Sequence, residues 1–264
     1  MSMLSQSNKW RMRYRCWRYR FKSEVPSISF VRSAKLKGGT LLDIGANRGI
    51  YSVYMSRAAD PDGRVIAFEP QPELKTHLQT IRRSFGLDNL QIENVGLSSS
   101  SGELLMRRPK SGAGAASFHI DPAANWEEFK VPVLTLDDYV AKAGIERVHM
   151  IKADVESHEL DVFRGGEATL RRDLPALVFE CNHQLAGDGE LFEFLYSLGY
   201  DGHFFFVDPK DHRSWLHKNR GSYQSASRFA DFAYGRAGVD ARNYLFLRRG
   251  LDPAAAHRGS IEVS

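Results

Sequence analysis

TLLDIGANRGIYSVY, residues 40–54, is the stretch on which the reading of this chain turns. Leu41, Leu42 and Ile44 form a short apolar run that closes around Asp43 and Gly45. Ile50, Val53 and Tyr54 then fall at helical spacing, so the stretch predicts strand, tight glycine turn and helix. Gly45 can take a positive φ and, having no Cβ, lets a ligand approach the backbone. A helix beginning near Asn47 and Gly49 points its free N–H groups at the same spot. The next strand, over 64–68, ends at Glu69 and Pro70. An acid there, twenty positions after Gly49, suits a ribose diol.

Two cofactor classes use this layout. A dinucleotide site wants G-x-G-x-x-G, whose second glycine admits a pyrophosphate. Here Gly45, Ala46, Asn47, Arg48 and Gly49 follow one another, so that glycine is missing. Asp43 would also repel a pyrophosphate, whereas it suits a ligand bearing an ammonium and a sulfonium. S-adenosylmethionine bears both and is favoured over NAD. A bare sharp turn explains the glycines but not Asp43 and Glu69 together.

The rest of the chain alternates strand and helix. Helices are expected over 72–85 and 191–198, and from the cap Thr135 through Val140. Strands are expected over 90–97, 103–106, 149–153, 176–180, 203–207 and 244–247. The pattern predicts an α/β fold: a doubly wound, mostly parallel sheet covered on both faces. Ligands then sit beyond the carboxyl ends of the strands. Asp43, Glu69, Asp154 and Glu180 all lie at such ends. Four acids on one sheet edge call for a cationic ligand, a metal or an acid–base task.

Around this core four segments stand apart. Residues 1–37 hold ten lysines and arginines against one acid, Glu24. The remaining 26 basic and 31 acidic residues leave a net −5, so the core is no basic nucleic-acid binder. Residues 9–22, KWRMRYRCWRYRFK, interleave seven basic residues with aromatic ones. On a helix Trp10, Tyr14, Trp17 and Phe21 share one face. That face can pack on the domain with the arginines in solvent, or meet an anionic membrane surface, an anionic glycan or RNA. Pro26 and the serines after it read as a linker. Residues 208–240 read as an insertion on the substrate side, 111–117 as a flexible loop, and 250–264 as a disordered tail. No run approaches the roughly 18 apolar residues of a membrane span. Cys16 and Cys181 form no metal motif or disulfide framework, which fits a cytoplasmic protein, peripheral to a membrane if the basic segment docks there.

At this point the motifs LLDIGANRGIYS, IAFEP, NVGLSSSSGEL, VPVLTLDDYV, IKADVESHELDVFRGG and LVFE resemble the FkbM family of S-adenosylmethionine-dependent methyltransferases, over about residues 40–182. NYLFLRR matches a last strand. The resemblance implies the seven-stranded, Rossmann-like class I methyltransferase fold over 38–249, with its last strand antiparallel. It also implies O-methylation of a hydroxyl on a small molecule or glycan. Ala153 stands where members often have another apolar residue, and Ser157 where they often have glycine.

On this reading Asp43 and the Gly45, Asn47 and Gly49 backbone hold the methionine end of S-adenosylmethionine. Glu69 takes the ribose, the region of Asn94 and Ser98 flanks the adenine, and Asp154 stands beside the cofactor. An alcohol is a poor nucleophile at neutral pH, so a base is needed. Asp154, Glu156 and His158 are the candidates, and His158 has the best unperturbed pKa for the task. A second chemistry is open: Asp154, Glu180 and Asn182 resemble the Mg²⁺ ligands of catechol-type O-methyltransferases. Two further functional classes remain, an NAD-dependent oxidoreductase and a non-catalytic RNA- or membrane-binding protein with this fold.

Overall fold

The computed structural model describes residues 4–110, 126–181, 189–206, 222–228 and 239–257. The loop expected over 111–117, Asn182, His183 and most of the insertion expected over 208–240 lie outside them. Helix α1 (Gln6–Arg18), a π-helical turn (Tyr19–Ser23) and α2 (Val25–Ser33) come first. The core follows as β1 (Thr40–Ile44), α3 (Ile50–Ala59), β2 (Arg64–Phe68), α4 (Pro72–Phe85) and β3 (Leu90–Glu93). Then come β4 (Gly96–Leu97), β5 (Gly102–Pro109), β6 (Trp126–Leu134), α5 (Leu136–Lys142) and β7 (Met150–Ala153). The chain continues through α6 (Glu159–Arg164), α7 (Glu167–Asp173), β8 (Ala176–Glu180), α8 (Glu190–Ser197) and β9 (Tyr200–Phe206). It closes with β10 (Ser222–Ser225), β11 (Val239–Arg248) and α9 (Pro253–His257).

The main sheet runs β10-β9-β11-β8-β7-β1-β2-β3. Its pairs from β8 to β3 are parallel, and β11 is antiparallel to both β8 and β9. This is the expected mostly parallel sheet with its last strand reversed. The count differs by one, because β10 folds back on β9 as an eighth edge strand. Alternate residues feed two cores. Leu42, Ile44, Phe68, Ile151 and Phe179 pack under α5 to α8. Leu41, Val65, Ala67, Met150 and Val178 pack under α1 to α4. Each of these side chains except Ala67 contributes about 2 kcal/mol of burial free energy. The strand order reverses between β1 and β7, and that is where a parallel sheet opens a crevice.

Several expectations are corrected. The strand expected over 90–97 is two strands in two sheets. Asn94 breaks it by donating to the Glu69 and Pro70 carbonyls at 2.8 and 2.9 Å, and Gly96–Leu97 then join β5 and β6 in a three-stranded sheet. The linker after Pro26 is helix α2: Pro26 sits in its first turn, where no N–H is needed, and Ile28, Phe30 and Val31 are buried. The tail is ordered through α9, with Pro253 buried.

The face of α1 that packs on the domain is not the aromatic one. Met12 is 3% exposed, with Cys16 and Tyr19 packed beside it, and the Tyr54 hydroxyl donates to the Cys16 carbonyl at 2.8 Å. Trp10, Tyr14, Trp17 and Phe21 are instead 66%, 59%, 41% and 43% exposed. Met12, Cys16 and Tyr19 recur at helical spacing too, so periodicity alone does not select the buried face.

Candidate active site

Beyond the carboxyl ends of β1, β2, β7 and β8 lies a cleft of two lobes, about 360 and 380 Å³. Tyr19, Glu24, Gly45, Asn47, Asp154 and Glu180 line both. Asp43, Arg48, Tyr51 and Lys152 line the first lobe, with Arg15 and Arg18 from α1. Phe68, Glu69, Gln71, Leu97, Met106 and Glu156 line the second. The four strand-end acids therefore meet in one cleft, and Glu24 and Glu156 join them.

The turn after β1 is built by close approach. Gly45 has φ 73°, and a Cβ there would lie 2.0 Å from the Asp154 carbonyl oxygen. The β1 and β7 turns thus touch across the crevice, which only glycine permits. Asn47 also has positive φ, and its N–H donates to Glu69 Oε2 at 2.8 Å. The Gln71 N–H donates to Glu69 Oε1 at 3.0 Å. Burial pushes the Glu69 carboxyl above its ordinary value, and these two backbone donors oppose the shift. After β7, Glu156 and Ser157 are both left-handed, at φ 50° and 77°. Ser157 thus holds, as a side-chain-bearing residue, a conformation that favours glycine.

Under the first lobe is a buried charge cluster. Asp43 and Lys152 are register partners on β1 and β7. Asp43 is fully buried; its Oδ2 accepts from Ser52 Oγ at 2.5 Å, while Oδ1 has no hydrogen-bond partner among the described residues. The Lys152 ammonium lies 2.9 Å from Asp154 Oδ2 and 4.8 Å above the Tyr51 ring. Burial pulls its pKa down, but the fields of Asp154, Asp43 and Glu24 outweigh that and keep it charged. Glu24 accepts from Tyr51 Oη at 3.1 Å and from Asn243 Nδ2 at 2.6 Å. Glu180 is pushed up to about 7, first by burial and then by Asp154, Glu24 and Glu156.

Asp43, Gly45, Asn47, Glu69, Asp154, Glu156 and Glu180 are thus brought together around the cleft, while Gly49 starts α3 behind it. Three expected residues are placed elsewhere. His158 is 4% exposed and lines neither lobe; Nε2 is 3.0 Å from Ser98 Oγ and Nδ1 is 3.3 Å from the Asp161 carboxylate. Ser98 is buried with it, outside the cleft lining. Asn94 braces the chain behind Glu69. Of the Mg²⁺ set, Asn182 lies outside the described residues, and a lysine ammonium already occupies one Asp154 oxygen. Among the described residues no three His, Cys, Asp or Glu are grouped to hold a metal ion. Among the described residues nothing supports a magnesium site.

Sequence reasoning missed Lys152, Glu24, Tyr19 and Tyr51. Lys152 carried a signal, a charge inside the apolar strand MIKA. Glu24 carried a weaker one, as the lone acid of a basic segment.

Glu159, at the start of α6, is 2% exposed and accepts from the Val155 N–H at 3.0 Å. Burial pushes its pKa to about 7. The folded state therefore holds a proton that the unfolded chain releases near its ordinary value. Stability from this group is complete at low pH and lost as pH rises toward about 7, a change of about 3 kcal/mol. Glu159→Gln keeps the acceptor without the charge. The difference in unfolding free energy between the two proteins, read from urea titrations, is expected to open between pH 5 and 8 in favour of the variant, by about 2–3 kcal/mol.

The family model described as Methyltransferase FkbM domain matches residues 43–221. The 2-O-methyltransferase NoeI of Sinorhizobium fredii is 30% identical over 148 residues, covering 50% of this chain and 59% of that protein. The hexuronic acid methyltransferase AglP of Haloferax volcanii is 27% identical over 150 residues, covering 56% and 59%. The chain spans under three-fifths of the length of these relatives. The crystal structure of a methyltransferase FkbM from Methylobacillus flagellatus aligns at TM-score 0.50 and 15% identity, over 80% of this chain and 44% of that one, and so shares the fold. With the model spanning most of the chain and the glycine turn, strand-end acids and reversed last strand in place, this chain belongs to the FkbM methyltransferase family.

Proposed function

We propose that the chain is an S-adenosylmethionine-dependent O-methyltransferase whose acceptor is a hydroxyl of a sugar or small natural product. The observation that carries this reading is the convergence of six carboxylates on one two-lobed cleft at the crevice between β1 and β7. The residues fit the cofactor. Glu69 faces the second lobe from the end of β2; its Oε1 accepts the Gln71 N–H and side-chain amide, while Oε2 accepts only the Asn47 N–H and keeps a lone pair for a ribose hydroxyl. Phe68, Leu97 and Met106 offer that lobe an apolar wall for an adenine. Among the described residues Asp43 Oδ1 has no donor, and it lies beside the first lobe, where an ammonium belongs.

Bound there, the cofactor supplies an electrophilic methyl group on a sulfonium. The chain's own part is to hold the reactants in line, keep water out and remove the hydroxyl proton. Glu180 is the base this reading favours. It lines both lobes, and a carboxyl near 7 can take a proton at neutral pH, which an ordinary carboxylate does poorly. Asp154 is held by Lys152 and is better suited to positioning. His158 fits a structural role in this scheme, bridging Ser98 and Asp161. The names of NoeI, a 2-O-methyltransferase, and AglP, a hexuronic acid methyltransferase, support transfer to oxygen and a sugar-type acceptor respectively.

Calorimetric titration tests the reading. S-adenosylmethionine is expected to bind and NAD is not. Glu69→Gln is expected to weaken S-adenosylmethionine binding roughly tenfold or more, because a carboxylate acceptor to a diol becomes a neutral amide. Absence of any heat with millimolar S-adenosylmethionine, or tight binding of NAD, would overturn it.

A further inference from the structure

Helix α1 and the π-helical turn present two unlike sides. The inner side packs Met12 on the core and sends Arg15, Arg18 and Tyr19 to the cleft wall. The outer side carries Trp10, Tyr14, Trp17 and Phe21, all exposed. Three of these rings touch in a row along one helix face with Trp10: Tyr14 and Trp17 stack at 5.9 Å, and Trp17 and Phe21 meet at 5.7 Å. Cations border the strip. Arg13 lies over Trp10, Lys22 over Trp17 and Arg20 over Phe21, at 5.5, 5.3 and 4.7 Å. An apolar row of this size in water is costly unless something covers it.

We propose that this outer face docks on an anionic phospholipid bilayer. Indole and phenol rings settle at the level of lipid headgroups, where one end is apolar and the other wet. Lysines and arginines beside them are drawn to the negative surface potential of acidic lipids. The charge complements an anionic surface: residues 1–37 hold ten basic residues and one acid, whereas the rest of the chain is net negative. A bilayer interface accepts a strip of rings lying along a helix. Single-stranded RNA instead stacks its bases on open ring faces, and here Tyr14 and Trp17 stack on each other while cations lie over Trp10, Trp17 and Phe21. Because the inner side of the same helix walls the cleft, docking sets the cleft mouth at the membrane surface. The docking stands on its own observations; only the meaning given to the cleft rests on the methyl-transfer reading.

Cosedimentation of the full chain with vesicles tests the proposal. Strong binding is expected to vesicles of mixed phosphatidylcholine and phosphatidylserine, weak binding to phosphatidylcholine alone, with the difference shrinking as salt is raised. Changing Trp10, Tyr14, Trp17 and Phe21 together to serine is expected to lower vesicle affinity roughly tenfold or more. All four side chains point to solvent, so the thermal midpoint and S-adenosylmethionine binding are expected to stay as they were, which separates a docking failure from a failed cofactor site. Equal vesicle binding by both proteins would overturn the proposal. So would a strip-dependent dimer in light scattering, or a single-stranded RNA oligonucleotide bound through the strip while acidic vesicles are ignored.

Discussion

Glu180→Gln is expected to lower turnover roughly 10²–10⁴-fold while leaving S-adenosylmethionine binding within a few-fold. The amide keeps the size and one acceptor oxygen of the carboxyl but takes up no proton. Turnover can be followed as S-adenosylhomocysteine release on a panel of hydroxylated sugars. The pH profile adds a second readout. A base works in its deprotonated form, and the Glu180 carboxyl sits near 7. In the wild-type protein kcat/KM should therefore rise with pH through about 7 and level off above it. In the variant that rise should vanish. If turnover survives in Glu180→Gln and is lost in Glu156→Gln, proton removal belongs to Glu156, the neighbouring acid of the second lobe.

Lys152→Met is expected to destabilise the fold by about 3–5 kcal/mol, the usual result of leaving a buried charge without its partner. The lysine is 3% exposed and faces Asp43 and Asp154, with Glu24 and Glu180 close enough to feel its charge. Without it Asp43 keeps Ser52 as its hydrogen-bond partner among the described residues, and burial already drives its carboxyl upward. The urea midpoint should fall with little change in slope. The double variant Lys152→Met, Asp43→Asn should recover much of the loss, because the stranded charge goes with its partner. A single-variant loss below about 1 kcal/mol would mean that water or a proton compensates, and that the pair is dispensable to the fold.

Much of this architecture was legible in the chain. The run from Thr40 to Tyr54 carries two periods, strand then helix, around a glycine that must turn, and the structure follows both. The strand-end acids could be gathered on paper because parallel strands all end on one side. What stayed hidden depends on contacts between distant parts of the chain. Nothing local to Glu24 says that it will meet Asn243, 219 positions on. His158 beside two acids reads like a base until Ser98, 60 positions earlier, takes one of its nitrogens. The aromatic row on α1 announces an apolar face, but Met12, Cys16 and Tyr19 announce another, and only the shape of α3 and α4 beneath decides between them.

The placement of β11 between β8 and β9 bears on how such a chain is made. While a ribosome is still short of residue 239, β9 and β10 form a hairpin with nothing to join it to the sheet, and Val178 and Phe179 on β8 face an empty slot. Asn243 arrives with that same strand and brings the Glu24 carboxylate its second donor. Early release would therefore yield a protein with an open, sticky edge and an unfinished pocket, the kind of species that chaperones retain.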